Sequence, residues 1–169
     1  MQLVNRSANI TDLSFIYSCL LYGARKGHYS FDADNPEIVH QMKKEIQSVI
    51  TRQLLQDERY AIASIFTLNG KRVAVMILAE TGLEEHDLEI YALSVARSFQ
   101  NLGYGSQIID GLLNQYPDTN IFARCSATSD QMIMLLEDRG FCFFAMDSDH
   151  KVLMKEAFVS ASYIENTHP

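Results

Sequence analysis

Asn69-Gly70 separates two apolar runs, AIASIFT (61–67) and VAVMILA (73–79), and leaves the middle of the chain few alternatives. Both turn residues tolerate the positive φ of a type I′ turn, so the segment reads as a β-hairpin. The segment TGLEEHD then breaks the pattern, and a third strand-like run, LEIYALSV, covers 88–95. A block of three strands in the centre rules out an all-helical fold.

Helical periods flank this block. Residues 2–8 read as a short strand, after which Asn9 or Thr11 suits the cap of a helix with the stripe Leu13, Ile16, Tyr17, Leu20 and Leu21. The segment that follows is rich in turn residues up to Pro36, a favoured first-turn residue. A second helix carries Ile38, Met42, Ile46, Val49 and Ile50 on one face. Beyond 88–95, a turn leads to a helix with Tyr104, Ile108, Ile109, Leu112 and Leu113 at helical spacing. Strand 120–125, helix 129–138 and strands 141–146 and 151–154 complete the order, with 157–169 as a C-terminal tail. The result, β-α-α-β-β-β-α-β-α-β-β, is an α+β chain with a mixed sheet and helices on its faces.

The 169 residues fit one domain, expected over 1–156, with enough chain to bury a core. No apolar run approaches the roughly 20 residues that cross a bilayer. The N-terminus lacks the basic start and apolar stretch of a signal peptide, so a cytoplasmic protein with no membrane partner is expected. The net charge of −7 disfavours nucleic acid, whose binding rests on clustered cations. It suits a cationic amine partner, and equally well simple solubility. Cys19, Cys125 and Cys142 are odd in number and widely spaced, which argues against disulfides and zinc and for three buried thiols. The histidines have no metal-ligand spacing, so no metal is expected. The methionines are expected mostly in the core.

The most informative stretch is LSVARSFQNLGYGSQIIDGLL (93–113): a strand, a turn containing Gln100-x-x-Gly103-x-Gly105, then an amphipathic helix. Glycines there let the backbone approach an anion, and the free N–H groups and dipole of a helix N-terminus favour negative charge. A pyrophosphate suits such a turn; a tight strand–helix connection is the plainer alternative. The spacing is neither that of a Rossmann nor of a P-loop fingerprint.

In its surroundings the turn resembles the pyrophosphate motif of the GNAT acetyltransferase superfamily, Gln/Arg-x-x-Gly-x-Gly/Ala, five residues beyond a strand reading Leu-x-Val. Here that strand is Leu93-Ser94-Val95. A second motif, Asn-x-x-Ala-x-x-Leu-Tyr-x-x-x-Gly-Phe, is matched in SDQMIMLLEDRGF (129–141) at Leu135, Gly140 and Phe141. The element order over 2–155 also agrees. The resemblance implies a GNAT fold: a central, mostly antiparallel sheet flanked by helices, in which the parallel strands 88–95 and 120–125 splay apart to admit acetyl-CoA.

Carried onto this chain, the resemblance gives the pantetheine arm to the backbone of Leu93, Ser94 and Val95. The pyrophosphate falls to Gln100, Asn101, Leu102, Gly103, Tyr104, Gly105 and Ser106. Ser129, in the Asn position of the second motif, would bond near the pantetheine or cap its helix. The Leu93 N–H would polarise the thioester carbonyl. Glu89, of the same strand parity as Leu93, is the expected general base, with Glu80 in reserve and Tyr91 orienting the acceptor. The plain alternative for Glu89 is a strand-edge carboxylate. His28, Tyr29 and Phe31, in the loop between the first two helices, are the expected acceptor contacts; a solvated loop with two anchoring aromatics is the alternative. Three departures stand out. Leu136 occupies the place of the tyrosine that protonates the leaving thiolate, leaving Tyr104, a water or unaided departure. Gln100 replaces the commoner Arg and gives up a charge. Met132 fills the Ala position.

Two functions follow. One is an N-acetyltransferase moving an acetyl group from acetyl-CoA to a primary amine of a small molecule or peptide. The other is an acyl-CoA-binding domain without catalysis. Family members often form homodimers, an option the tail shares in here.

Overall fold

The computed structural model describes residues 3–81, 87–148 and 150–157, and all structural statements refer to these. Residues 82–86, within the break before the third strand, and the tail 158–169 lie outside them. Strand β1 spans Val4–Ser7. The Asn9 side chain caps a short 3-10 turn, Ile10–Asp12, by accepting from the Thr11 N–H. That turn runs directly into α1, Leu13–Arg25. Asn35 caps α2, Pro36–Arg52, by accepting from the Glu37 N–H at 3.0 Å, with Pro36 in the first turn.

The hairpin forms as expected from β2, Ala61–Leu68, and β3, Lys71–Glu80, with φ of 50° at Asn69 and 75° at Gly70. Next come β4, Leu88–Val95, α3, Tyr104–Gln115, and β5, Ile121–Ser126. Helix α4, Asp130–Glu137, precedes β6, Cys142–Asp147, and β7, His150–Lys155. The sheet order is β1-β2-β3-β4-β5-β7-β6, antiparallel throughout except for the β4–β5 pair.

Two cores lie on opposite faces of this sheet. One gathers Ile16, Leu20, Ile46, Val49, Ile65, Val75 and Ile77 beneath α1 and α2. The other gathers Met76, Leu93, Ile108, Ile109, Leu112, Ile133 and Leu136 beneath α3 and α4. Covered on both faces, the central strand β3 is apolar at every position from Val73 to Leu78, which is why its sequence shows no alternation.

The outer strand β6 behaves oppositely. Phe143, Phe144 and Met146 are exposed, as is Cys142, correcting the expectation of three buried thiols. Met134 is exposed too, so the methionines divide between core and surface. At the end of α4, the Phe141 N–H bonds the Leu136 carbonyl across Gly140, whose φ of 80° reverses the chain and drops Phe141 into the core. The Gly-Phe pair of the second motif is thus a helix stop.

Candidate active site

The site begins where β4 and β5 part. Their parallel pairing covers Leu88–Ile121, Glu89–Phe122 and Ile90–Ala123 and goes no further, although both strands continue. The cause lies in β4. Against β3, Ile77 pairs with Ala92 and Leu78 with Ile90, so Tyr91 is an extra residue, a β-bulge. A bulge bends its strand and raises its twist, which turns the later half of β4 away from β5.

The same bulge shifts the side-chain alternation. Ile90 and Leu93 both face the α3–α4 core, while Tyr91 and Ala92 face α1 and α2. Glu89, adjacent to Ile90 on the opposite face, therefore does not share a face with Leu93. The expected common parity fails because it assumed an unbroken strand.

Beyond the bulge, the Ala96 N–H donates to the Val73 carbonyl, so the backbone of the even-numbered residues points at β3. That of Leu93 and Val95 points into the gap. Both carbonyls already have side-chain partners there: the Tyr29 hydroxyl donates to Leu93 at 2.9 Å, and the Gln100 Nε2 donates to Val95 at 3.0 Å. Burial pushes the Tyr29 phenol up, which keeps it a donor. Gln100 thus ties the turn to its own strand.

The gap opens into a cleft of about 380 Å³ that runs from Ile90, Leu93 and Ala123 to the N-terminus of α3. Ser94, Val95, Gln100, Asn101, Gly103, Tyr104, Gly105, Ser106 and Ser129 also line it. Leu102, exposed on the turn, does not. The first hydrogen bond into α3 runs from the Gln107 N–H to the Gly103 carbonyl at 3.1 Å, which leaves the N–H groups of Tyr104, Gly105 and Ser106 without an intrahelical acceptor. Gly103 has a φ of 79°, and a Cβ there would meet nothing within 4 Å. Three free donors beside open space form a cradle that fits a pyrophosphate.

Ser129 begins α4 without a side-chain cap bond; its hydroxyl lies 3.0 Å from that of Ser126. The Ser126 hydroxyl in turn donates to the Gly27 carbonyl at 2.6 Å, tying the loop after α1 to the end of β5. Leu136 is fully buried and lines the cleft, so no hydroxyl stands at that position.

A second cavity, of about 630 Å³, lies on the α1–α2 face. It shares His28, Tyr29, Tyr91, Ala92 and Arg124 with the cleft, so the two spaces meet at these residues. The structure therefore brings together His28, Tyr29, Phe31, Glu89 and Tyr91, all of which line the second cavity. Glu80 is exposed at the end of β3 and lines neither space.

Glu89 is 4 % exposed, and each of its oxygens is committed to a guanidinium: Oε2 to Arg59 at 3.0 Å and Oε1 to Arg124 at 2.8 Å. Arg124 also pairs with Asp147 at the turn between β6 and β7. Glu89 stands on the last paired rungs of β4 and β5, so this bridge clamps the strands just before they part.

Three residues here escape the reading of the sequence: Arg59, Arg124 and Glu45. Glu45, on α2, lines the cavity half-buried. The signal was its place between Met42 and Ile46, at the margin of the buried stripe of α2. Tyr91 lies beside it. Burial, and then the Glu45 carboxylate, push the Tyr91 phenol up. No cluster of metal-binding side chains occurs among the described residues, and no helix among them is long and apolar enough to cross a membrane.

Residues 27–141 match the acetyltransferase (GNAT) family, a span that begins just after α1 and ends at the Gly-Phe helix stop. No curated protein sequence matches the chain. Solved structures share the fold at low identity. Spermidine N-acetyltransferase from Vibrio cholerae, in complex with CoA and spermine, is 14% identical with a TM-score of 0.67, over 90% of this chain and 93% of that one. PaiA N-acetyltransferase from Thermoplasma acidophilum, in complex with coenzyme A, is 12% identical with a TM-score of 0.69, over 92% and 99%. The ribosomal-protein-S18-alanine N-acetyltransferase from Escherichia coli is 16% identical with a TM-score of 0.65, over 99% and 100%.

Proposed function

The chain belongs to the acetyltransferase (GNAT) family, and we propose that it transfers an acetyl group from acetyl-CoA directly to a primary amine. One observation carries this reading: a cleft from the β4–β5 gap to the first turn of α3 meets a second, larger cavity at His28, Tyr29 and Tyr91. Two substrates that must meet at one bond need such joined compartments.

Bound in the cleft, acetyl-CoA supplies an activated thioester. The N–H groups of Tyr104, Gly105 and Ser106 hold its pyrophosphate, with the α3 dipole aligned to the negative charge. The free backbone edge of Leu93 and Val95 receives the pantetheine amides as an added strand, displacing Tyr29 and Gln100 from the two carbonyls. The Leu93 N–H points into the same gap and polarises the thioester carbonyl. The amine enters through the second cavity. Glu89 holds the floor of the junction through Arg59 and Arg124.

Isothermal titration with CoA and acetyl-CoA, and thiol release over a panel of amines, test this reading. Saturable binding and amine-dependent thiol release are expected. Absence of CoA binding up to millimolar ligand sinks it, and tight binding without turnover on any amine favours a binding domain instead.

A further inference from the structure

The larger cavity carries an electrostatic asymmetry. Its walls hold the carboxylates of Glu45, Glu89 and Asp147 and the single guanidinium of Arg124. Arg124 is consumed by Glu89 and Asp147, and Glu89 has Arg59 behind it. Glu45 alone among the three makes no ion pair with any described residue. Its neighbours in the cavity are the Tyr91 phenol on β4, an apolar strip of Leu20, Phe31, Met42 and Ile46, and the imidazoles of His28 and His150.

From this we infer that Glu45 is the carboxylate that receives the acceptor's ammonium and takes its proton, and that the acceptor is a cationic alkyl or arylalkyl amine with no carboxylate beside its nitrogen. The inference rests on the acetyl-transfer reading and adds the base and the substrate class to it.

The half-buried Glu45 carboxylate, beside the Tyr91 hydroxyl, has no counter-ion among the described residues, so an ammonium gains a charge-assisted hydrogen bond there. An α-amino acid would bring a second carboxylate against Glu45, Glu89 and Asp147, with the one nearby guanidinium already shared. Glu89 is less suited to proton uptake, because protonation at either oxygen must displace a guanidinium donor. Tyr91, between Glu45 and the junction of the two spaces, is placed to relay or orient.

The proton and electron balance is simple. The Glu45 carboxylate takes one proton from the ammonium, the neutral nitrogen forms a bond to the acyl carbon, and the carbon–sulfur bond breaks. The sulfur leaves as a thiolate; the second proton that the nitrogen sheds as the amide forms passes through water to that sulfur, and Glu45 returns its own proton to solvent.

The test compares wild type, Glu45→Gln and Glu45→Asp in acetyl-CoA-dependent thiol release, using n-butylamine, 1,4-diaminobutane, phenethylamine and leucine as probes. Expected for wild type are turnover on the three amines and none on leucine. Glu45→Gln is expected to lower kcat/KM for the amines by about 10- to 100-fold and to abolish the acidic limb of its pH profile. Glu45→Asp should restore part of the rate together with that limb. The acetyl-CoA dissociation constant, measured by titration, should stay within about twofold, as the site lies in the other compartment. An unchanged rate and pH profile in Glu45→Gln overturns the inference, as does leucine turned over as well as the amines. Should the variants fail to fold, the wild-type probe series and its pH profile still decide. Wild type that binds acetyl-CoA and turns over leucine but none of the three amines refutes the inference alone; wild type that binds no CoA, or binds it and turns over nothing, refutes the acetyl-transfer reading beneath it.

Discussion

Gly23 sits in the last turn of α1, and a Cβ there would stand 2.5 Å from Cε2 and 2.9 Å from Cδ2 of Tyr29. Real Cβ atoms do not approach so closely, so Gly23→Ala must push the Tyr29 ring away. That ring is held by its hydroxyl bond to Leu93 and by stacking on Phe31, with centroids 6.1 Å apart. Overpacking of this kind costs about 1–3 kcal/mol. The displaced hydroxyl gives up a further hydrogen bond, about 0.5–1.5 kcal/mol. Against this stands the ordinary helical gain of alanine over glycine, about 0.5–1 kcal/mol. The net is a loss of about 0.5–4 kcal/mol, and each kcal/mol lowers Tm by about 2–4 °C in a chain of this size. Gly111 supplies the control. It is an exposed glycine in α3 where a Cβ meets nothing within 4 Å, so the same substitution there should raise Tm. Thermal unfolding followed by circular dichroism reads both. In a Tyr29→Ala background, Gly23→Ala should become neutral or stabilising, a coupling that a double-mutant cycle measures. Equal gains at Gly23 and Gly111 would refute the packing of Tyr29 on α1.

Three further outcomes are expected. Asp12 is fully buried and bonded by Arg6 at 2.7 and 2.8 Å, with Arg72 at 3.2 Å; the Arg6 hydrogen bond holds its carboxyl below the usual range, against the opposing effect of burial. Its contribution is present above the unfolded carboxylate pKa of about 3.9 and lost as pH falls through the lower folded value, so urea midpoints should decline in that acidic window, less steeply in Asp12→Asn, which should also cost about 1–3 kcal/mol at neutral pH, the two guanidiniums it leaves behind being partly exposed. Glu89→Gln, which loses a charge-assisted clamp, should cost about 1.5–3 kcal/mol of stability yet retain the acidic limb of the pH–rate profile; loss of that limb would make Glu89 the base. Gly103→Ala meets no steric obstacle but places a side chain at a φ of 79°, so it should lose about 1–2 kcal/mol and weaken CoA binding by about tenfold in titration calorimetry.

Local signals in the sequence specify the scaffold well. Asn69-Gly70 fixes the hairpin because only a few residue pairs tolerate two positive φ values in succession, and 88–95 and the helix after Gly103 emerge where period and turn chemistry place them. The cleft is legible for the same reason: its lining from Ser94 to Ser106 comes from one contiguous strand, turn and helix. Gln100 lines the cleft with its amide on the Val95 carbonyl, and nothing local in the sequence says whether that amide faces a ligand or its own strand.

The second cavity resists such reading because its geometry depends on a pairing, not on a segment. Whether Tyr91 is a bulge is decided by the residues of β3 that face it, and LEIYALSV alternates acceptably without one. That single extra residue does three things together: it parts β4 from β5, turns Leu93 away from the face of Glu89, and points Tyr91 toward Glu45. A residue count along the strand therefore sets Glu89 and Leu93 on one face, whereas the bulge sets them on opposite faces. Arg124 and Arg59 saturate Glu89. The bulge opens the cleft and the clamp beneath it occupies Glu89, which is why the proposed reading gives the proton of an incoming ammonium to Glu45 on α2.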